Sequence, residues 1–290
     1  MVRTTDSWVS SFGAVSRLAG LTADSRVWVP GPRAATMNLF AAVHATAAGA
    51  TLVDALADAT HAHLTPGDLT RVLGPSLSGV TVVVAGDRLS PGLHDRAVAA
   101  GASVHHYYGA AELSFVAWGR HAEDLRPFPG VEVVVRDGEI WVRSPFVCEG
   151  YAGSPGPLRR DGDGFATVGD RGLLADGRLV VLGRPGTVTT GGATVPLSAV
   201  EPVLRAAATA EVVVVGLPHE ELGAVLAVVL TSPADNGPLL AEARRVLNGP
   251  HRPRVWFHVA DLPLTAAGKV DREALVSLVS GADDRSTRLV

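Results

Sequence analysis

Short β-branched runs alternate with helical segments through the first hundred residues, and this alternation restricts the fold more than any other feature. Val27 to Val29 and Val80 to Val84 predict strands, the second of them buried on both faces. Ala34 to Ala48 is Ala-rich and predicts a helix. Pro91 begins another predicted helix that runs to about Ala100, because proline is tolerated in a first turn. Strand–helix–strand repetition at this spacing predicts a parallel α/β sheet.

The middle of the chain has a different pattern, in which short strands are joined by Asp-Gly turns. Val131 to Arg136 and Glu139 to Arg143 flank Asp137-Gly138, and Arg178 to Leu182 follows Asp176-Gly177. Asp-Gly between β-rich runs is a hairpin signal because both positions tolerate positive φ. The pattern predicts a small antiparallel β-barrel or a curled sheet.

Beyond a Gly-Arg-Pro-Gly run at 183–186, helices and strands mix again over about a hundred residues, enough for a domain. Predicted helices at Val200 to Ala206 and Leu239 to Leu247 accompany a predicted strand at Val225 to Leu230. The polar tail from Ser280 to Val290 is expected to be loose. The predicted organisation is a first domain at 1–183, with an α/β part at 1–125 and a barrel-like part at 126–183, and a small α+β domain at 187–290.

Composition and charge exclude several classes of protein. Hydrophobic residues make up 47% of the chain and charged residues 19%, which is typical of a folded protein rather than a disordered one. The net charge of -4 gives no basic field for nucleic acid. Cys148 is the single cysteine, so it forms no internal disulfide. The apolar stretch from Leu39 to Val53 is too short and too interrupted for a membrane span. With no signal-peptide pattern, we expect a soluble cytoplasmic protein.

Two segments place polar side chains where open α/β sheets bind ligands. The first is Tyr107 to Glu112, directly after a predicted strand. In it, Tyr108 can stack on a base and Glu112 can hold a hard cation, although a turn with a surface glutamate explains the same residues. In the second segment, Asp170 follows a glycine and can accept the hydroxyls of a ribose, and Arg184 can reach a phosphate. The alternative for the second segment is a pair of hairpin turns with solvated charges.

Lys269 is the only lysine among 25 basic residues. It lies in the Pro- and Gly-containing segment Leu262 to Arg272, just before a predicted helix. A position that keeps lysine in an arginine-biased chain can require a compact ammonium that a planar guanidinium does not imitate. Chance retention of one lysine explains the observation equally well.

Taken in order, these segments resemble the acyl-adenylate-forming enzymes, which include acyl-CoA synthetases and nonribosomal adenylation domains. The resemblance extends from Ala85 to Leu275, and Thr189 to Val195 looks most like the compact o-succinylbenzoate–CoA ligases. The motifs that carry it are Tyr108-Gly109-x-x-Glu112, Gly169-Asp170, Gly183-Arg184, Thr190-Gly191-Gly192 through Glu201, Val215-Gly216-Leu217-Pro218, Glu221-x-Gly223 and Gly268-Lys269-Val270-Asp271-Arg272.

The resemblance implies a two-step ligase. A carboxylic acid attacks the α-phosphate of ATP to give an acyl-adenylate, and a thiol, of coenzyme A or a carrier protein, then displaces AMP. Both reactants of the first step are anions, so the site must supply positive charge where they meet. By this resemblance Lys269 bridges the carboxylate and phosphate oxygens, and the domain at 187–290 rotates about 183–186 between the two steps.

The resemblance also implies the binding residues. Tyr108 and Gly109 contact the adenine of ATP or AMP, and Glu112 binds Mg²⁺. Asp170 holds the ribose hydroxyls and Arg184 the ribose or the α-phosphate. The glycines Gly191 and Gly192 line the channel of the coenzyme A thiol.

Three departures from the family pattern matter. The Gly/Ser/Thr-rich phosphate loop that ends in Lys-Gly is absent from these 290 residues, and Arg3 to Thr5 match the segment that follows it. The large adenylate-forming domain is therefore expected to be partial. Ala111 replaces the usual threonine beside Glu112, and Gly186 or Thr187 stands where a hinge aspartate is usual. A degenerate non-catalytic protein and a split ligase whose partner chain supplies the loop stay open beside the active ligase.

Overall fold

The structure is a computed structural model that describes residues 1–265, 270–281 and 285–290. The chain divides into two units, Met1–Pro185 and Gly186–Val290, with separate hydrophobic cores. Rotation of one unit relative to the other stays a prediction. Within the described ranges, each helix is too short or too polar to cross a lipid bilayer.

The first unit contains a seven-stranded sheet with helices between its strands. The strands are β1 (Arg26–Trp28), β2 (Thr51–Val53), β3 (His61–Leu64), β4 (Thr81–Val84), β5 (Ser103–Ala110), β6 (Ser114–Gly119) and β7 (Arg126–Pro127), and the helices are α1 (Asp6–Ala19), α2 (Thr36–Ala47), α3 (Pro66–Val72) and α4 (Pro91–Ala99). The spatial order is β2-β1-β3-β4-β5-β6-β7, and β1 to β5 pair in parallel. The predicted parallel α/β sheet is confirmed, and β6 and β7 add an antiparallel edge.

Local chemistry explains where these elements begin. Helix α4 begins at Pro91 as predicted, and the Ser90 hydroxyl accepts a hydrogen bond from Leu93 N at 3.2 Å. This bond satisfies one of the main-chain donors that a helix start leaves unpaired. Strand β4 consists of Thr81 and three valines that are all buried, because the sheet is covered on both faces.

The middle of the chain forms a six-stranded antiparallel sheet. Its strands are β8 (Glu132–Arg136), β9 (Glu139–Arg143), β10 (Arg159–Arg160), β11 (Ala166–Thr167), β12 (Arg171–Ala175) and β13 (Arg178–Gly183). Both predicted hairpins are confirmed, and their turn residues Asp137-Gly138 and Asp176-Gly177 have positive φ. The predicted antiparallel sheet is confirmed, and the strand pairings of the described residues do not close it into a barrel.

The second unit is an α+β fold, as predicted. It contains the hairpin β14 (Thr187–Thr190) and β15 (Ala193–Pro196), the sheet strands β16 (Val212–His219), β17 (Gly223–Leu230), β18 (Val255–Val259) and β19 (Ser286–Arg288), and the helices α5 (Glu201–Arg205), α6 (Asn236–Val246) and α7 (Arg272–Ser280). The sheet order is β16-β17-β18-β19. The expectation of a loose tail is wrong for Ser286–Arg288, because this segment pairs antiparallel with Phe257–Val259.

Candidate functional site

Three side chains from separate elements of the first unit meet at Asp170. Tyr108 lies near the end of β5, Asp170 directly precedes β12, and Arg184 follows β13. The Tyr108 hydroxyl donates to Asp170 Oδ2 at 2.7 Å, and Arg184 Nε donates to Asp170 Oδ1 at 2.9 Å. The structure thus brings together three residues that sequence analysis assigned to nucleotide binding, although they are up to 76 positions apart in the sequence.

The β5 strand can reach this point because of Gly109. A Cβ at Gly109 would lie 2.0 Å from Ser114 O on the neighbouring strand β6, which is a severe clash. The β5–β6 pairing also shifts register between Tyr108 and Gly109. Glycine is therefore required for backbone packing here, independently of any ligand.

The carboxylate of Asp170 has hydrogen-bond acceptor sites left for a ligand. The side chain of Asp170 is 13% exposed and that of Arg184 is 22% exposed, so their ion pair is largely withdrawn from water. Burial, and then the Asp170 carboxylate, raise the pKa of Tyr108 well above its usual range, so this phenol stays a neutral donor. An ionised carboxylate has about four acceptor sites. Tyr108 and Arg184 each occupy one, and the remaining capacity suits a pair of vicinal hydroxyls.

Glu112 lies in the turn between β5 and β6, and its carboxylate has a defined partner. The Tyr151 hydroxyl donates to Glu112 Oε1 at 2.7 Å. Burial, and then this hydrogen bond, raise the pKa of Tyr151 to about 12. Among the described residues, no cluster of three or more His, Cys, Asp or Glu side chains forms a metal site. A single carboxylate such as that of Glu112 fits Mg²⁺, because this ion usually keeps several waters and substrate phosphates as ligands.

The main chain around Glu112 is held by the N-terminal segment. Arg3 Nη2 donates to Ala111 O at 2.7 Å, and Arg3 Nη1 donates to Phe146 O at 2.7 Å. Burial lowers the pKa of Arg3 from its usual value. Sequence analysis missed Tyr151, because one tyrosine in a Gly- and Pro-rich segment gives no signal that could indicate its partner.

Gly191 and Gly192 form the turn of the β14–β15 hairpin in the second unit. Their φ angles are 55° and 82°, and both residues are exposed. Gly191 N donates to Leu222 O at 2.9 Å, which fixes the turn against the following sheet connection. The positive φ values explain the glycine pair as a hairpin turn, so its place in a thiol channel stays a prediction.

Lys269 lies outside the described residues, and so does Gly268. The residues on either side of this segment are placed: Leu264 and Val270 form an isolated antiparallel bridge, and Asp271 N donates to Pro263 O at 2.8 Å. The two ends of the segment that carries Lys269 are therefore held together within the second unit.

An ion pair with a buried glutamate holds the helix that follows Lys269. Arg272 Nη2 donates to Glu201 Oε1 at 2.6 Å, and Arg272 Nη1 donates to Val214 O. Glu201 is buried and also accepts from Val214 N at 3.0 Å and from Arg205 Nη2 at 3.1 Å. Sequence analysis noted Glu201 and Arg272 in separate motifs, and their contact appears only in three dimensions.

Comparison of sequences finds ligases as relatives, whereas no protein-family model matches the chain. An uncharacterized acyl–CoA ligase of Bacillus subtilis is 25% identical over 305 residues, covering 92% of this chain and 63% of the relative. A probable 2-succinylbenzoate–CoA ligase of Mycobacterium tuberculosis is 33% identical over 217 residues, covering 70% of this chain and 55% of the relative. The chain thus spans less than two thirds of the length of these relatives.

Two solved structures have a fold similar to that of this chain. The amide bond synthetase of Marinactinospora thermotolerans matches with a TM-score of 0.79 and 26% identity, covering 94% of this chain and 65% of that protein. The o-succinylbenzoate CoA synthetase of Bacillus subtilis, bound to a product analogue, matches with a TM-score of 0.79 over 99% of this chain and 67% of that protein. At 22% identity, the second match shows the shared fold alone.

Proposed function

Because the chain belongs to the acyl-adenylate-forming superfamily, we propose that it is a carboxylate–CoA ligase that activates its acid as an acyl-adenylate. The observation that carries this proposal is the meeting of Tyr108 and Arg184 on the two oxygens of Asp170. As the finer proposal, the acid is of the o-succinylbenzoate type, which is the substrate named for several relatives.

Each residue of this group has a distinct proposed task. Asp170 accepts the two ribose hydroxyls with its remaining acceptor capacity. Tyr108 offers its ring to the adenine while its hydroxyl keeps Asp170 in place. Arg184 balances the charge of Asp170 and directs its guanidinium toward the ribose or the α-phosphate. Mg²⁺, when bound, supplies positive charge to the phosphates, and Glu112 is the residue that would hold it. Coenzyme A would approach the turn at Gly191 and Gly192.

The first prediction concerns the phosphates of the nucleotide. In EDTA, where no cation links Glu112 to the phosphates, we expect the chain to bind AMP about as tightly as ATP, because Tyr108, Asp170 and Arg184 address adenine, ribose and α-phosphate. Calorimetric titration with each nucleotide measures this. ATP binding more than tenfold tighter, or about 1.4 kcal/mol, would show that another part of the chain binds the outer phosphates.

The second prediction concerns Asp170. Replacing Asp170 with Asn should weaken AMP binding about tenfold or more, because hydrogen bonds to a charged group contribute roughly 1.5–3 kcal/mol each. Asp176→Asn is the matched control: Asp176 is exposed in a hairpin turn, and asparagine tolerates its φ of 51°. The control should bind AMP like the parent chain. Equal AMP affinity in the Asp170 variant would remove the main support for this nucleotide site.

The ligase activity itself is tested by ATP–pyrophosphate exchange over a panel of carboxylic acids that includes o-succinylbenzoate. Exchange that depends on one acid supports the ligase and identifies its substrate. Binding of AMP without exchange for any acid would contradict the active ligase and favour the non-catalytic alternative.

A further inference from the structure

Tyr151 makes two hydrogen bonds with its single hydroxyl, and they differ in direction. The hydroxyl accepts from Leu158 N at 3.1 Å and lies 2.7 Å from Glu112 Oε1. A phenol has one proton to donate. Because Leu158 N–H is itself a donor, the phenolic proton is directed to Glu112. The tyrosine is therefore oriented as a donor to this carboxylate.

The ring of Tyr151 is held by the chain that follows it. A Cβ at Gly156 would lie 2.1 Å from Tyr151 Cζ, so the backbone at Gly156 packs directly against the hydroxyl end of the ring. Together with the Leu158 hydrogen bond, this contact restricts the side-chain torsions of Tyr151. The hydroxyl is thus presented from a restrained position, as a group that orients another must be.

Glu112 is fixed through its main chain, so only its side chain needs a further partner. Cys148 N donates to Glu112 O at 2.7 Å, and Arg3 holds the preceding carbonyl of Ala111 at 2.7 Å. Of the two carboxylate oxygens, Oε1 accepts from Tyr151, whereas Oε2 has no hydrogen-bond partner within the described residues. One oxygen is therefore anchored and the other is available to a ligand.

We propose that Tyr151 is a positioning residue that holds the Glu112 carboxylate with Oε2 directed to a divalent cation of the nucleotide complex. This inference rests on the proposed function. Carboxylates that bind metals are commonly hydrogen-bonded by a second residue, and loss of that residue typically lowers metal affinity about 10–100-fold. A cation held by a single protein carboxylate depends strongly on the orientation of that carboxylate.

The test is calorimetric titration of ATP into Tyr151→Phe, once with Mg²⁺ and once with EDTA. In Mg²⁺ the variant should bind ATP about tenfold more weakly than the parent chain, and in EDTA the two should agree within about twofold. A general structural defect, or a direct nucleotide contact, would weaken binding equally in both conditions. Equal loss in both, or no loss in Mg²⁺, overturns the proposal.

Two further variants make the test specific. Tyr107→Phe removes another phenolic oxygen, one without a hydrogen bond among the described residues, and should leave both affinities unchanged. Glu112→Gln should itself reduce the effect of Mg²⁺, and adding Tyr151→Phe to it should cause no further loss, since Tyr151 acts through Glu112. Additive losses overturn the proposal. AMP binding in EDTA reports separately on the proposed function, because it involves no cation.

Discussion

Replacement of Lys269 with Ala is expected to slow acyl-adenylate formation about 10²–10³-fold, the usual effect of removing a donor aimed at developing charge. The prediction rests on the proposed role of Lys269 between two anions, the carboxylate and the α-phosphate. An ammonium about 4 Å from one unit charge contributes roughly 4 kcal/mol of attraction at an effective dielectric constant near 20. ATP–pyrophosphate exchange, measured first on the parent chain, gives the rate.

The described residues on either side of Lys269 make defined contacts. Leu264 pairs with Val270 in an antiparallel bridge, and the ion pair of Arg272 with the buried Glu201 holds the following helix α7.

Three controls separate charge placement from other effects. Lys269→Arg should not restore the rate, because a broad planar guanidinium does not replace a compact ammonium as a point charge. Arg244→Ala removes an exposed cation from helix α6 and should have no effect. Reaction of a pre-formed acyl-adenylate with coenzyme A should persist in Lys269→Ala. Full exchange activity of Lys269→Ala would show that the proposed role of the last motif is wrong.

Much of the fold follows from local pattern. Valine-rich strands, Pro91 at the start of α4 and the Asp-Gly hairpins were predictable because each depends on residues close together in the chain. Strand β3 was not predictable, since two histidines interrupt the apolar run of His61–Leu64. All four residues of β3 are nevertheless buried, because the sheet surrounds them with neighbours from both sides.

The site was predictable only in part, for a related physical reason. The motifs identified Tyr108, Asp170 and Arg184 singly, but their common hydrogen-bonded group depends on where β5 and β13 end and where β12 begins. The contacts of Tyr151 with Glu112 and of Arg272 with Glu201 join residues 39 and 71 positions apart. No spacing rule of helices or strands indicates such pairs.

The buried histidines of the first unit lead to the last prediction, which concerns acid stability. His44 is 1% exposed, His63 6% and His106 3%. Burial lowers the pKa of His44 to about 4, that of His63 to about 3 and that of His106 to about 4. In the unfolded chain each imidazole has a pKa near 6.5. Between these values the unfolded state binds protons that the folded state excludes.

The contribution of the neutral histidines to the free energy of unfolding is therefore fully present above about pH 6.5. It is lost as the pH drops toward 4. Each excluded proton costs about 1.4 kcal/mol per pH unit, so three histidines remove on the order of 6 kcal/mol by pH 5. Asp87 opposes this loss in part, because burial raises its pKa to about 6. As the pH falls, the folded state binds this proton before the unfolded state does, which adds about 1 kcal/mol to the free energy of unfolding at pH 5. The net loss is comparable with the total stability of a domain, about 5–15 kcal/mol.

We expect the first unit to unfold between about pH 6 and pH 4 while the second unit stays folded, because none of the described histidines in 186–290 is buried. Hydrogen–deuterium exchange as a function of pH locates the transition, and urea titrations give the free energy of unfolding. His63→Gln should reduce the pH slope of that free energy by about 1.4 kcal/mol per unit, whatever its stability at neutral pH. His219→Gln, which changes an exposed histidine, should leave the slope unchanged. If both variants keep the parent slope, or if the second unit unfolds first, proton exclusion by the buried histidines does not determine the acid stability of this protein.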